Sequence, residues 1–142
     1  MSTRIFPTAQ DAEVAFYEAL ERADLELMMA VWSDDEEILC VHPGGARLTG
    51  QDQVRESWRQ ILAGGARARV HLSQQVAISG PVVAVHSTHE NFSVPGEKPP
   101  LQAVVATNVY LRTAAGWRMI AHHGSPAPGL AEPPAQPPKI LH

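Results

Sequence analysis

His42 is the side chain whose position most invites chemistry. It closes the apolar run ILCV in the stretch ILCVHPGGARLTG, Ile38 to Gly50, and Pro43, Gly44 and Gly45 follow at once. An imidazole exchanges its proton near pH 6.5, to within about a unit. At a strand end beside a turn, it stands where a general acid or base would stand. The plainer reading is that His42 only ends the strand. The residues alone leave both open.

The other reactive side chains exclude more than they suggest. His86 and His89 lie at odd spacing, and His122 and His123 are adjacent, so within strands each pair diverges to opposite faces. A metal site would need His42, His86 or His123 to meet Glu90 across strands. There is no HExxH helix and no second cysteine, and no metal or cofactor is expected. Cys40, the single cysteine, sits inside an apolar strand as an inert thiol and cannot form an intrachain disulfide. No serine lies in GxSxG, and HPGG lacks the GK[ST] of a phosphate-binding loop. The acidic run Asp34 to Glu37 reads as a solvated helix exit.

The elements that must position His42 follow from caps and periodicity. Thr8 and Asp11 form a capping box before a helix carrying Val14, Phe16, Tyr17 and Leu20 on one face. Asp24 is a good N-cap for a second helix with Leu25, Leu27, Met28, Val31 and Trp32. Thr49 and Asp52 repeat the box before a third, with Val54, Trp58, Ile61 and Leu62, which stops at Gly64-Gly65. Strand-like segments then run over Ala68–Ser79, Val82–Val94, Leu101–Thr113 and Trp117–Gly124, parted by short turns. Helices followed by an antiparallel meander, with the early strand free to join an edge, make an α+β fold.

Tyr17, Met28, Trp32 and Trp58 are large residues on helices that must cover one concave face of that sheet. They read either as plain core or as the wall of an apolar pocket, with His42, Asn108, Tyr110 and His123 as its few polar groups. In the segment Leu101–Thr113 both faces are largely apolar: Ala103, Val105, Val109 and Leu111 on one, Val104, Ala106 and Tyr110 with Asn108 on the other. The far face therefore needs a cover, and a second copy of the chain packed sheet to sheet is the simplest.

Net charge is −4, from 11 Lys+Arg against 15 Asp+Glu, without the clustered basic face a nucleic-acid binder needs. MSTRIFPTAQ lacks the apolar core of a secretory signal, and no run is long enough for a membrane span, so a cytoplasmic protein is expected. Residues 1–125 form one domain and 126–142 a tail. The stretch SPAPGLAEPPAQPPKILH holds half of the 12 prolines, which excludes helix and central strand. Its KILH end is a candidate anchor on a neighbouring subunit or across a pocket mouth.

Taken together, ADLELMMAVWSDDEEILCVHPGG, a helix with SW, and ATNVYLRTAAGWRMIAHHGS resemble the nuclear transport factor 2-like superfamily, specifically its SnoaL-like members. The resemblance spans about Asp11 to Ser125. It implies a cystatin-like cone, N-terminal helices packed on a curved antiparallel β-sheet, with an interior pocket for a small apolar or polyketide-like molecule and a homodimer. Against ketosteroid isomerases, VHPGG places His42 in the general-base position. Their helical tyrosine falls on Phe16, and their protonated acid falls in AVVAT, which holds no carboxyl. Against the association domain of calcium/calmodulin-dependent protein kinase II, GWRMIAHHGSPAP resembles the ending, and the two pocket arginines of that family fall on Asn108 and Gly124. Two functions are therefore expected as alternatives. One is an isomerase, dehydratase or cyclase with His42 as acid/base and Tyr17, Trp32, Trp58, Asn108, Tyr110 and His123 around the ligand. The other is a non-catalytic association module.

Overall fold

Thr8 starts the first helix as its spacing requires. Its hydroxyl accepts from the Asp11 amide at 3.0 Å and donates to the Asp11 carboxylate at 2.9 Å. The helix, α1 (Ala9–Arg22), ends at Ala23 in the left-handed region with φ 53°, and Asp24 at once caps α2 (Leu25–Val31) by accepting from the Leu27 amide at 3.0 Å. The computed structural model describes residues 4–64, 68–96 and 102–132. Gly65 as helix stop, Leu101 as strand start and the KILH anchor lie outside those residues.

After α2 come two short strands, β1 (Leu39–Val41) and β2 (Arg47–Thr49), and then α3 (Gly50–Leu62). The Thr49 hydroxyl makes no cap bond; the Gln53 side chain accepts from the Thr49 amide at 3.0 Å instead. Four long strands follow: β3 (Arg69–Ser79), β4 (Val83–Ser93), β5 (Gln102–Thr113) and β6 (Gly116–Leu130). They form the expected antiparallel meander. β1 joins it beside β6, in parallel, and β2 takes the edge, for the order β2-β1-β6-β5-β4-β3. Gly116 must be glycine at the β5–β6 turn: its φ is +91°, and a Cβ there would lie 2.9 Å from the Phe6 carbonyl.

Among the described residues, three irregularities interrupt the ladders. The β3–β4 register shifts between Ser73 and Val76, where Gln74 has φ 50°, and the β5–β6 register shifts between Gln102 and Val104 and between Val109 and Tyr110. The three helices pack on one face. The core between the layers includes Phe16, Met28, Val31, Trp32, Val54, Trp58, Tyr110 and Met119, all buried. Ala84, His86, Thr88 and Glu90 of β4 and Ala106, Asn108 and Tyr110 of β5 point into it. Val105, Val109 and Leu111 lie on the opposite face and are half-buried.

One boundary differs from the sequence reading. β6 continues past Ser125, through Pro126 and Pro128, to Leu130. β1 leaves β6 at His123, so beyond that point β6 has a partner on one side only. Prolines at alternate positions direct their hydrogen-free nitrogens to that open side. Among the described residues, no helix is long and apolar enough to cross a membrane.

Because one side chain starts α2 directly behind α1, Asp24→Ala should destabilise the domain by about 1 kcal/mol, seen as a lower midpoint in thermal denaturation. An unchanged midpoint would mean that packing alone holds the α1–α2 corner.

Candidate functional site

The inner face of the sheet carries a chain of hydrogen bonds whose donor directions are fixed from one end to the other. Tyr17, on α1, donates its hydroxyl to Glu90 Oε2 on β4 at 2.6 Å. Asn108 Nδ2, on β5, donates to the Tyr17 oxygen at 2.9 Å. Asn108 Oδ1 is then the acceptor for His122 Nδ1, on β6, at 2.6 Å. His122 therefore carries its hydrogen on Nδ1 and presents a lone pair on Nε2. That nitrogen finds no partner among the described residues.

Burial sets the charge states. Desolvation pushes the Glu90 carboxyl up to about 7; the Tyr17 bond opposes this, and the charge of Glu13 adds to it. Burial, then the neighbouring His42 and His123, pushes His122 down to about 3, so the ring stays neutral. Burial and then Glu90 raise the Tyr17 hydroxyl well above the ordinary range, which keeps it a donor.

His42 shares the inward parity of Cys40, whose partner across the β1–β6 ladder is His122. Its Nε2 lies 3.0 Å from Ser57 Oγ on α3, and the Ser57 hydroxyl is already given to the Val54 carbonyl at 2.8 Å. The hydrogen between them therefore belongs to His42, and Nδ1 is left as the basic nitrogen. Desolvation lowers its pKa, so the ring is neutral at pH 7. Cys40 Sγ lies 3.6 Å from the same Nε2, and burial with the Glu90 charge pushes the thiol up to about 12, which leaves it inert.

Around the two histidines is a cluster of rings. Trp58 stands edge-on to His42 at 4.7 Å between centroids; Phe16 lies 5.0 Å from His122, and the two imidazoles are 6.4 Å apart. The buried indole N–H of Trp58 finds no acceptor among the described residues, an expensive state in a core. A half-buried base, a neutral imidazole acceptor and an unpaired donor thus meet in one apolar setting.

The structure brings His42, Tyr17, Trp58 and Asn108 into this region. Tyr110 is fully buried one residue pair further along β5, where its hydroxyl donates to Glu13 at 3.4 Å. Trp32 is buried beside Met119, apart from the ring cluster. His123 is exposed on the outer face opposite Thr107, and His122 points in instead. Tyr17, next to Phe16, turns its hydroxyl toward the sheet, and the carboxyl it meets there is that of Glu90 on β4. The signal for Glu90 was its parity with Ala84, His86 and Thr88. The signal for His122 was its register with Asn108. No group of three His, Cys, Asp or Glu side chains among the described residues could hold a metal ion.

The sequence profile of the SnoaL-like domain matches residues 10–128. The chain belongs to the SnoaL-like family. Two crystal structures are similar over nearly the whole SnoaL-like domain. A protein from Thiobacillus denitrificans, provisionally named as a calcium/calmodulin-dependent protein kinase type II association domain, is 38% identical over 87% of this chain and 98% of its own, with a TM-score of 0.78. A provisionally named dehydratase of the nuclear transport factor 2-like family from Streptomyces avermitilis is 34% identical over 83% of this chain and 92% of its own, with a TM-score of 0.75. At the level of fold alone, a cystatin-like protein of unknown function from Nostoc punctiforme matches 89% of this chain and 98% of its own at 16% identity, with a TM-score of 0.70. No curated protein matches the chain. The cone read from the sequence is the cystatin-like fold of this family.

Gly124 bears on the association-domain likeness. A Cβ at this position would meet Val104 Cγ1 at 3.2 Å and the Pro43 ring at 3.3 Å, so a long side chain fits only if both give way.

Glu90 yields a test with a definite sign. An acid whose folded pKa is raised favours the folded state at low pH, and that contribution is lost as pH climbs from the ordinary carboxyl range through about 7. Glu90→Gln keeps an acceptor for Tyr17 and removes the titration. The variant should match the parent in thermal stability at pH 5 and exceed it at pH 8. A gap that does not widen with pH would show that Glu90 is not held protonated.

Proposed function

We propose that this SnoaL-like domain binds a small, largely apolar molecule and moves a proton on it, as an isomerase, dehydratase or cyclase does. The observation that supports this most directly is the setting of His42. It is a neutral imidazole, half-buried and held by Ser57, and among the described residues its basic Nδ1, the Trp58 N–H and His122 Nε2 have no hydrogen-bond partner. His42 acts as the general acid/base: Nδ1 takes a proton from a carbon next to a carbonyl and returns it at a second position of the same molecule, or to a departing hydroxyl. Trp58 donates to the ligand oxygen. Asn108, already tied to His122 and Tyr17, positions His122. The likeness to the Streptomyces avermitilis dehydratase favours the same class, and a polyketide-like ligand suits the aromatic lining.

The second reading is an association module, favoured by the likeness to the Thiobacillus denitrificans protein. Both readings use the outer face of the sheet as a homodimer surface. Val76 (56% exposed), Ile78 (64%) and Val83 (42%) stand there beside half-buried Val85, Val109 and Leu111.

Native mass spectrometry of the purified chain separates the two. A dimer that retains a small molecule supports the ligand-binding reading; an empty assembly of many subunits overturns it in favour of the association module. With the retained molecule in hand, His42→Gln should slow exchange of its acidic C–H in D2O by about 100-fold while binding persists. Unchanged exchange would remove His42 from the chemistry. The double variant Val76→Lys with Ile78→Lys should run as a monomer, and an unaltered assembly would place the interface elsewhere.

A further inference from the structure

One turn before Tyr17 on α1 lies a second polar cluster that the proposed chemistry does not use. Glu13 Oε2 receives His86 Nδ1 at 2.9 Å and the Tyr110 hydroxyl at 3.4 Å. Glu13 and His86 are each only 7% exposed. A carboxylate on Nδ1 fixes the imidazole: the hydrogen sits toward Glu13, and Nε2 is the nitrogen left to meet anything else. Among the described residues Nε2 has no partner. The arrangement is a carboxylate–imidazole dyad.

The dyad borders a cleft of about 400 Å³ between the start of α1 and the β3–β4 side of the sheet. Here the helix leaves the inner face uncovered. Ala77, opposite His86, and Ser79, opposite Ala84, have inward parity yet are exposed. Trp117 forms part of the wall, and Thr8, Gln10, Gln75 and Ser79 supply hydroxyls and carboxamides.

The lining selects its ligand by charge. Among the described residues it contains no lysine or arginine, and Glu13 pairs with His86 at the floor, so the lining disfavours a phosphate or carboxylate ligand. Hydroxyl and carboxamide groups both donate and accept, which matches ligand hydroxyls. An indole wall suits the C–H face of a saturated ring. The volume holds one or two such rings.

We propose that this cleft is a binding site for a neutral cyclic polyol of one or two rings, with His86 Nε2 accepting a hydrogen bond from a ligand hydroxyl and Glu13 positioning the imidazole. The site is separate from His42 and stands whether or not the His42 reading does.

The test is NMR titration of the full chain with myo-inositol, D-glucose and sucrose, following the His86 imidazole and the Gly80 amide. At least one probe should give saturable shifts, with a dissociation constant of about 1–10 mM. His86→Phe should weaken it at least tenfold, by estimate of roughly one lost hydrogen bond, and His42→Ala should leave it unchanged. Because His86→Phe strands a buried carboxylate, Ala77→Phe is the companion variant: it fills the cleft, leaves the dyad intact and should abolish the shifts. The proposal is overturned if no polyol shifts these signals at about 50 mM, if the shifts survive Ala77→Phe, or if choline or inorganic phosphate saturates the cleft where polyols do not.

Discussion

The hydrogen bond from Tyr17 to Glu90 is the constraint around which the interior is arranged. A carboxyl this deep in an apolar core is costly unless a donor meets it. The donor comes from α1, and the bond is short, 2.6 Å. It fixes how α1 lies across β4 and sets the direction of every bond behind it. With its hydrogen given to Glu90, Tyr17 can only accept from Asn108. Asn108 must then turn its oxygen to His122, and His122 must carry its hydrogen on Nδ1. Four residues from four elements thereby adopt one tautomeric and rotameric state.

That ordering matters for His42, which stands outside the chain but against its last member. A charged His122 would repel a proton arriving on His42; a neutral one does not. Desolvation keeps both rings neutral, the fully buried one as fixed polarity and the half-buried one with its pKa also lowered. The same helix face repeats the device one turn earlier, where Glu13 holds His86. The second copy borders a polar cleft, and the first packs against an aromatic cluster.

Much of the fold was legible in the sequence because caps and turns are local. Thr8 and Asp24 start their helices as their residue types require, and glycines and prolines such as Gly80-Pro81, Pro95-Gly96 and Gly116 part the strands of the meander. Thr49 also stands at the start of its helix, but Gln53, one residue beyond the expected Asp52, is what reaches back to its amide. Pro126 and Pro128 misled because proline excludes a central strand, while the end of β6 is paired on one side only. The site was less legible. His122 and His123 are indistinguishable until the register with Asn108 decides which faces inward. Phe16 and Tyr17 differ by one helical step, so only the packing of α1 shows that the Tyr17 hydroxyl faces the sheet. Glu90 and Glu13 each lie 73 residues from the partner they meet, Tyr17 and His86, and reach it through tertiary structure alone.

The central claim is that a single ordered chain of hydrogen bonds holds His122 neutral behind a neutral, basic His42. Two-bond proton–nitrogen correlation NMR on the imidazoles tests it most directly, by reporting tautomer and charge for each ring. The structure predicts that His122 stays neutral with its hydrogen on Nδ1 from pH 8 down to pH 5, and that His42 at pH 7 is neutral with its hydrogen on Nε2. A His122 that protonates in the ordinary histidine range, or carries its hydrogen on Nε2, would contradict it.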